Sequence, residues 1–237
     1  MVLKAIGVLF DKDGTLLDFE ATFAPACAVV ARELAGGDEE RAARLSAMAG
    51  FDLAAERFLP GSILIGGTAD DFAAIVAPLI GGPLDPDLAK RIDNLFVQHT
   101  RSTASAFEGV EDALDALRAK GLSLGIATND CEDGARVHAE LAGIYGHFSF
   151  FAGYDSGHGA KPGPGMVLAF AEHLTSPPER IVMVGDSLHD LHAARAAGAI
   201  AVGITTGLAS REELAPHADY VIDSLSELSE LPPLSGL

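Results

Sequence analysis

Two aspartates, two residues apart, carry the first chemical signal in this chain. In Phe10-Asp11-Lys12-Asp13-Gly14-Thr15-Leu16 they follow a short apolar run with β-branched residues, Ala5-Ile6-Gly7-Val8-Leu9-Phe10. Such a run predicts a buried parallel strand that ends in the two acids. Side chains alternate along a strand, so Asp11 and Asp13 point the same way if the extended geometry continues, with Lys12 turned aside. Gly14 then allows a sharp reversal. Two acids at the carboxyl end of a buried strand outline a metal and phosphoryl site; an Asp-Gly turn after a strand is the plainer alternative.

Similar groups recur at the other expected strand ends. Thr128, Asn129 and Asp130 follow the strand Leu122–Ala127, and Asp186, Ser187 and Asp190 follow the strand Arg180–Val184. Lys161 stands just before a helix that starts at Gly165. Ligands of open parallel sheets bind outside the carboxyl ends of the strands, where all these residues fall. Phosphoryl transfer could use each of them. A carboxylate can attack phosphorus and form an aspartyl-phosphate, while a second can protonate the leaving alcohol and then take a proton from water. A hard cation such as Mg²⁺ prefers oxygen ligands and offsets phosphate charge. Thr hydroxyl, Asn amide and Lys ammonium groups can donate to phosphoryl oxygens. Asp186 and Asp190, four apart at a strand–helix junction, are close enough to face one metal centre. Taken singly, Thr128-Asn129 is a strand-end turn, Lys161 a solvated loop lysine and Gly185-Asp186-Ser187 a helix cap. Their joint order argues for a site.

The elements that must position these groups divide into two kinds. After Leu16 the pattern is helical: Phe19 to Leu34, then a helix capped by Asp38 that runs to Met48, a short helical segment from Asp52 to Phe58, and helices at 69–79 and 85–100. Pro60 to Thr68 reads as a turn-rich loop with an exposed apolar tip, and Gly81-Gly82-Pro83 with Pro86 punctuate the last two helices. From Gly109 onward strands alternate with helices of about a dozen residues, as in a doubly wound parallel sheet with right-handed crossovers. The expected fold is therefore α/β: a Rossmann-like core of 1–17 and 106–237, with an α-helical block, 18–105, inserted after the first strand. Leu231 to Leu237 reads as a tail.

Composition limits the partners. The 237 residues carry a formal charge of −18 and no Trp, and 49% are hydrophobic. Such a surface repels nucleic acid and anionic membranes, so neither is an expected partner. A phosphorylated substrate must be held by local cations or a metal. Cys27 and Cys131 are far apart, with no metal-ligand spacing, which suits a reduced interior. No signal-peptide pattern follows Met1, and no apolar run reaches the roughly 18 residues that span a bilayer. A cytoplasmic protein is expected, monomer or homodimer.

Asp11-Lys12-Asp13-Gly14-Thr15-Leu16, Thr128-Asn129, Lys161-Pro162 and Gly185-Asp186-Ser187 with Asp190 resemble the four ordered motifs of the haloacid dehalogenase (HAD) superfamily. The helical block resembles that superfamily's cap of the kind found in phosphoglycolate phosphatases. The resemblance implies Asp11 as nucleophile, Asp13 as general acid/base, Thr128 and Asn129 on the phosphate and Lys161 as its cation. It implies Mg²⁺ held by Asp11, the Asp13 backbone carbonyl and Asp186, with Asp190 assisting. Gly163 after Lys161-Pro162 departs from the acidic residue of many relatives, at a position peripheral to the chemistry.

Substrate choice should then lie in the block 18–105. Among its cations Arg57, next to the Pro60–Thr68 loop, is the leading candidate to reach a substrate; a surface pairing with Glu56 or Asp52 is the plain alternative. Asp13 argues against a dehalogenase, and Lys90 lies in a polar stretch that gives no reason for a depressed pKa, against a Schiff-base hydrolase. The expectation is Mg²⁺-dependent hydrolysis of a small phosphorylated metabolite, 2-phosphoglycolate favoured. A β-phosphoglucomutase-like mutase and a non-catalytic phosphoryl-binding module are the alternatives.

Overall fold

The computed structural model describes residues 4–80, 85 and 87–235. The expected strand after Ala5 forms as β1 (Gly7–Phe10), every residue buried. A helical block follows: α1 (Phe19–Leu34), α2 (Glu39–Ala49), the two-residue strands β2 (Phe51–Asp52) and β3 (Arg57–Phe58), then α3 (Ile63–Gly66), α4 (Ala69–Ile80) and α5 (Leu88–Thr100). Alternation then takes over with α6 (Val110–Ala119), β4 (Ser123–Ala127), α7 (Glu132–Leu141), β5 (Phe150–Ala152) and α8 (Gly165–His173). The chain ends through β6 (Ile181–Gly185), α9 (Leu188–Ala197), β7 (Ile200–Ile204), α10 (Arg211–Leu214) and β8 (Tyr220–Ile222).

The six long-range strands form one sheet in the order β5-β4-β1-β6-β7-β8, parallel throughout. Strand alternation divides the core into two layers. Val8 and Phe10 of β1, Leu124 and Ile126 of β4 and Val182 and Val184 of β6 pack with Leu114, Leu117 and Ala139 of α6 and α7. Leu9, Ala127, Ile181 and Met183 turn the other way, onto Val167 and Phe170 of α8 and Leu191 of α9. This is the doubly wound arrangement that buries a parallel sheet on both faces.

The helical block has cores of its own. Val30, Leu34, Leu45, Phe72, Val76 and Ile92 join its helices, while Phe23, Phe51 and Phe58 form an aromatic cluster. Its caps are local: Asp18 accepts the Ala21 N–H and Asp38 the Arg41 N–H, both at 3.0 Å. The two chain legs that join it to the sheet lie side by side, with Asp18 N–H bonded to Ser105 O at 2.9 Å and Leu17 bridged to Ala106.

Three expectations need correction. Asp52 to Phe58 is a tight hairpin rather than a helix. Gly50 ends α2 in a left-handed conformation, Glu56 takes a positive φ of 48°, and Phe51 pairs with Phe58 in the aromatic cluster. The Pro60–Thr68 segment contains α3, and Ile63, Leu64 and Ile65 are half-buried rather than exposed. The C-terminal segment is no tail: Leu234 is fully buried on the α6 side, and Pro233 O accepts the Ala5 N–H at 3.0 Å. The breaks expected at Gly81-Gly82-Pro83 and Pro86 lie outside the described residues, as do the last two residues of the chain. Among the described residues no helix is long and apolar enough to cross a membrane.

Candidate active site

The order of the strands decides where the site lies. From β1 the chain builds β4 and β5 on one side and β6, β7 and β8 on the other, so β1 is the switch point, beside which a crevice opens. Phe10 is in register with Ile126 and with Val184. Asp11 therefore leaves the sheet between the ends of β4 and β6, with Thr128 and Asp186 just beyond. The turn after Asp11 is closed by Leu16 N–H and Leu17 N–H, both bonded to Lys12 O at 2.9 Å. Gly14 is at φ 80°, and a Cβ there would lie 2.5 Å from Asp186 Oδ2. Glycine is required twice over, for the left-handed backbone and for the close approach.

Lys161 gathers the acids. It is 5% exposed, and its ammonium donates to Asp11 Oδ1 at 2.5 Å, Asp190 Oδ1 at 2.6 Å and Ala127 O at 2.8 Å. All three protons are engaged. Burial opposes its charge, but Asp11 and Asp190 outweigh burial and hold its pKa above the usual lysine value. Asp190 serves two elements at once. Its Oδ2 accepts the Ser187 N–H at 3.1 Å and hydroxyl at 2.6 Å, so the cap of α9 fixes the carboxylate that meets Lys161.

Asp11, Asp186 and Asp190 bring carboxylate oxygens within 4.8 Å of one another. Burial pushes the Asp11 carboxyl up to about 7, with Lys161 opposing and Asp190 and Asp13 adding to the rise. Burial, then Asp11 and Asp190, push Asp186 well above the usual carboxylate range. Three crowded acids with one ammonium among them form an oxygen-only donor set short of positive charge. Gly14 and Gly207 leave room on Asp186, which a Cβ on either would reach within 2.5 Å. The residues fit a hard divalent cation such as Mg²⁺ and offer nothing to a soft one.

Asp13 is held by a separate network that the sequence reading missed. Lys12 is 1% exposed, and its ammonium meets Asp13 Oδ2 at 2.8 Å, Asp130 Oδ2 at 2.7 Å and His138 Nδ1 at 2.9 Å. His138 Nδ1 must accept, so Nε2–H donates to Thr100 Oγ1 at 2.6 Å, and that hydroxyl donates to Phe96 O at 2.6 Å. Burial, then the Lys12 charge, push the neutral imidazole down to about 3. Lys12 is thus turned inward rather than merely aside, and links Asp13 to the last turn of α5. Asp130 and His138 lie 118 and 126 residues away in the chain, beyond any local pattern.

The other expected site residues separate. Thr128 is buried, lines the cavity and accepts the Asp130 N–H at 3.1 Å, leaving its own proton to donate. Asn129 is not free for a phosphate. Its amide donates to Gly66 O and Lys161 O, and its carbonyl accepts the Lys161 N–H, all at 2.9 Å. It braces the Lys161 loop against α3. Arg57 is not brought to the site either: it is 67% exposed and pairs with Asp52 at 3.9 Å, on the hairpin. Asp11, Asp13, Thr128, Lys161 and Asp186 all line one cavity of about 1100 Å³ between the sheet edge and the helical block.

The chain matches the family model of haloacid dehalogenase-like hydrolases over residues 7–198. The chain belongs to the haloacid dehalogenase-like hydrolases. Among relatives of this family, phosphoglycolate phosphatase of Salmonella choleraesuis is 34% identical, over 96% of this chain and 92% of its own. The Escherichia coli K12 phosphoglycolate phosphatase is 32% identical over the same shares. Among solved structures, a predicted phosphoglycolate phosphatase from Haemophilus somnus superposes with a TM-score of 0.71 at 21% identity, covering 95% of this chain and 97% of its own. CbbY from Rhodobacter sphaeroides, in complex with phosphate, gives 0.68 at 22% identity, covering 94% and 96%. The α/β sheet with its flanking helices is thus the fold of known HAD hydrolases, and the similarity in sequence is to phosphatases.

Proposed function

We propose that this HAD hydrolase is a Mg²⁺-dependent phosphatase of small phosphomonoesters, working through an aspartyl-phosphate on Asp11. One observation carries the reading: Asp11, Asp186 and Asp190 converge with Lys161 at the switch point of the sheet. Asp11, Asp186 and Asp190, with the Asp13 backbone carbonyl, would hold the cation. Bound there, it supplies positive charge that keeps Asp11 ionised and offsets the charge on the phosphoryl oxygens.

The residues then divide the work. An Asp11 carboxylate oxygen attacks phosphorus as the bond to the leaving oxygen breaks. Asp13 gives that oxygen its proton. Burial raises its pKa above the usual carboxylate value, with Lys12 opposing, the direction that suits a proton donor. Asp13 next takes a proton from the water that attacks the aspartyl-phosphate, releasing inorganic phosphate and restoring Asp11. The Thr128 hydroxyl donates to the phosphoryl oxygens, the positive charge of Lys161 offsets theirs, and Asn129 positions the Lys161 loop. In this reading 1–17 with 106–237 is the catalytic core and 18–105 the cap that excludes water. A reducing cytoplasmic setting accords with two unpaired buried thiols.

Release of nitrophenol from p-nitrophenyl phosphate tests this. Activity should require Mg²⁺, vanish in EDTA and vanish in Asp11→Asn. Turnover that survives both treatments rules the mechanism out. The relatives' names bring 2-phosphoglycolate forward as substrate, although Lys161 is the sole lysine or arginine among the described residues that line the cavity.

A further inference from the structure

Beyond the phosphoryl end, the cavity changes character. Phe19 and Phe58 meet at a tilt with 4.5 Å between ring centroids, Phe19 and Phe23 stack at 5.3 Å, and all three line it. Ile65, Leu188 and Leu208 extend the apolar wall. Lys161 is the sole lysine or arginine among the described residues of the lining, and its three protons are already engaged. The charged groups on the remaining lining are acids: Glu20, Asp71, Asp93 and Glu213 join the catalytic carboxylates. His189, whose ring abuts Gly66, adds a hydrogen-bonding imidazole.

The arginines of the helical block do not repair this deficit. Arg32, Arg41, Arg57 and Arg91 pair with Glu39, Asp38, Asp52 and Asp85 outside the cavity, and Arg44, Lys90 and Arg101 are not among its lining residues. Four backbone donors on α3 and its C-terminal flank are engaged as well. Leu64 N–H goes to Ser62 Oγ, Ile65 N–H to Ser62 O, Gly67 N–H to Ile63 O and Thr68 N–H to Asp71. A carboxylate on the leaving group would lose its water among phenyl rings and acids, with no cation to replace it. An apolar leaving group would instead remove both itself and the accessible surface of Phe19, Leu188 and Leu208 from water.

We infer that the leaving-group side of this site takes an uncharged, apolar alcohol, so that the substrate class is alkyl or aryl-alkyl phosphomonoesters rather than phosphorylated carboxylic acids. This rests on the phosphatase reading, and the test keeps the two apart. Benzyl phosphate and 4-carboxybenzyl phosphate have leaving alcohols of similar reactivity and differ in one charge. Propyl phosphate and 2-phosphoglycolate form a second, smaller pair.

With the full chain and Mg²⁺, the neutral member of each pair should lead by at least tenfold in kcat/KM. In Leu208→Arg, which sets a cation at a position that is 58% exposed, the benzyl ratio should narrow at least threefold. Should 4-carboxybenzyl phosphate or 2-phosphoglycolate match or exceed its neutral partner, or should the ratio stay fixed in Leu208→Arg, the inference is overturned and the phosphatase stands. Should no ester release phosphate in a Mg²⁺-dependent way, the phosphatase reading falls and the inference with it.

Discussion

Replacing Lys12 by Met removes one ammonium and leaves two buried carboxylates facing each other. Asp13 and Asp130 lie 2.8 and 2.7 Å from that nitrogen, with side chains 15% and 14% exposed. Methionine preserves most of the volume, so the change is mainly electrostatic. Removing one partner of a buried ion pair costs about 3–5 kcal/mol, because the survivor keeps its desolvation penalty without its counter-charge. For a chain of this size that corresponds to roughly 6–20 °C in Tm. Urea unfolding at pH 7, extrapolated to water, measures the loss directly. The double variant Lys12→Met/Asp130→Asn separates charge from packing: it should recover at least ~1 kcal/mol relative to the sum of the two single losses, since the orphan carboxylate is gone. A loss below about 1 kcal/mol for Lys12→Met, or strict additivity in the double variant, would refute the reasoning.

Other outcomes follow from the same physics. Asp186→Asn should abolish turnover yet raise Tm by a few degrees in EDTA, because it relieves a buried acid crowded by Asp11 and Asp190. In the wild type, Mg²⁺ should raise Tm in proportion to the logarithm of its concentration once the site is saturated, and Asp186→Asn should blunt that rise. Asp93 accepts from Tyr154 Oη at 2.7 Å across the join between α5 and the sheet, and burial pushes its carboxyl up to about 7. Between about pH 4 and 7 the folded chain binds more protons there than the unfolded one, so its contribution to stability falls as pH rises through that window. Asp93→Asn should flatten the wild-type decline by about 1 kcal/mol, discounted for partial exposure, as read from unfolding free energies at pH 5 and 7. Cys27 and Cys131 are buried with thiol pKa values held high, chiefly by burial, so Ellman's reagent should label both only as the chain unfolds.

What could be read in advance depended on how far apart the interacting residues stand. β1, β4 and β6 are short, apolar and bounded by turns, and the polar residues after each are neighbours in sequence, so strand ends and their chemistry were visible together. The plain reading of Gly185-Asp186-Ser187 as a cap and its reading as a site both hold, because Asp190 caps α9 and meets Lys161 with different oxygens. The hairpin at Phe51 and Phe58 was hidden because its stability comes from Phe19 and Phe23 on α1, and local composition favoured a helix. Asn129 looked like a phosphate donor because the carbonyls that occupy its amide, on Gly66 and Lys161, come from remote segments. Thr100 and His138, which complete the Lys12 network, carry no local mark of their partnership. Leu234 sits in a Pro- and Ser-containing stretch whose composition does not show that it docks under α6.

The central place of β1 also governs how the molecule can assemble. Gly7 pairs with Ser123 on one side and with Ile181 on the other. The strand that leads to Asp11 is made well before either neighbour, since β4 starts only at Ser123 and β6 only at Ile181. Contacts of such sequence separation form slowly, because the intervening chain must close a long loop before any pairing rewards it. The helices between 19 and 100, with hydrophobic clusters of their own, can condense in the interval. The second flank of β1 closes only after residue 181 is available, so the carboxylate cluster comes into being as a late event of folding. A nascent chain cut short before β6 would hold Asp11 on an open sheet edge, able to aggregate but not to form the acid cluster.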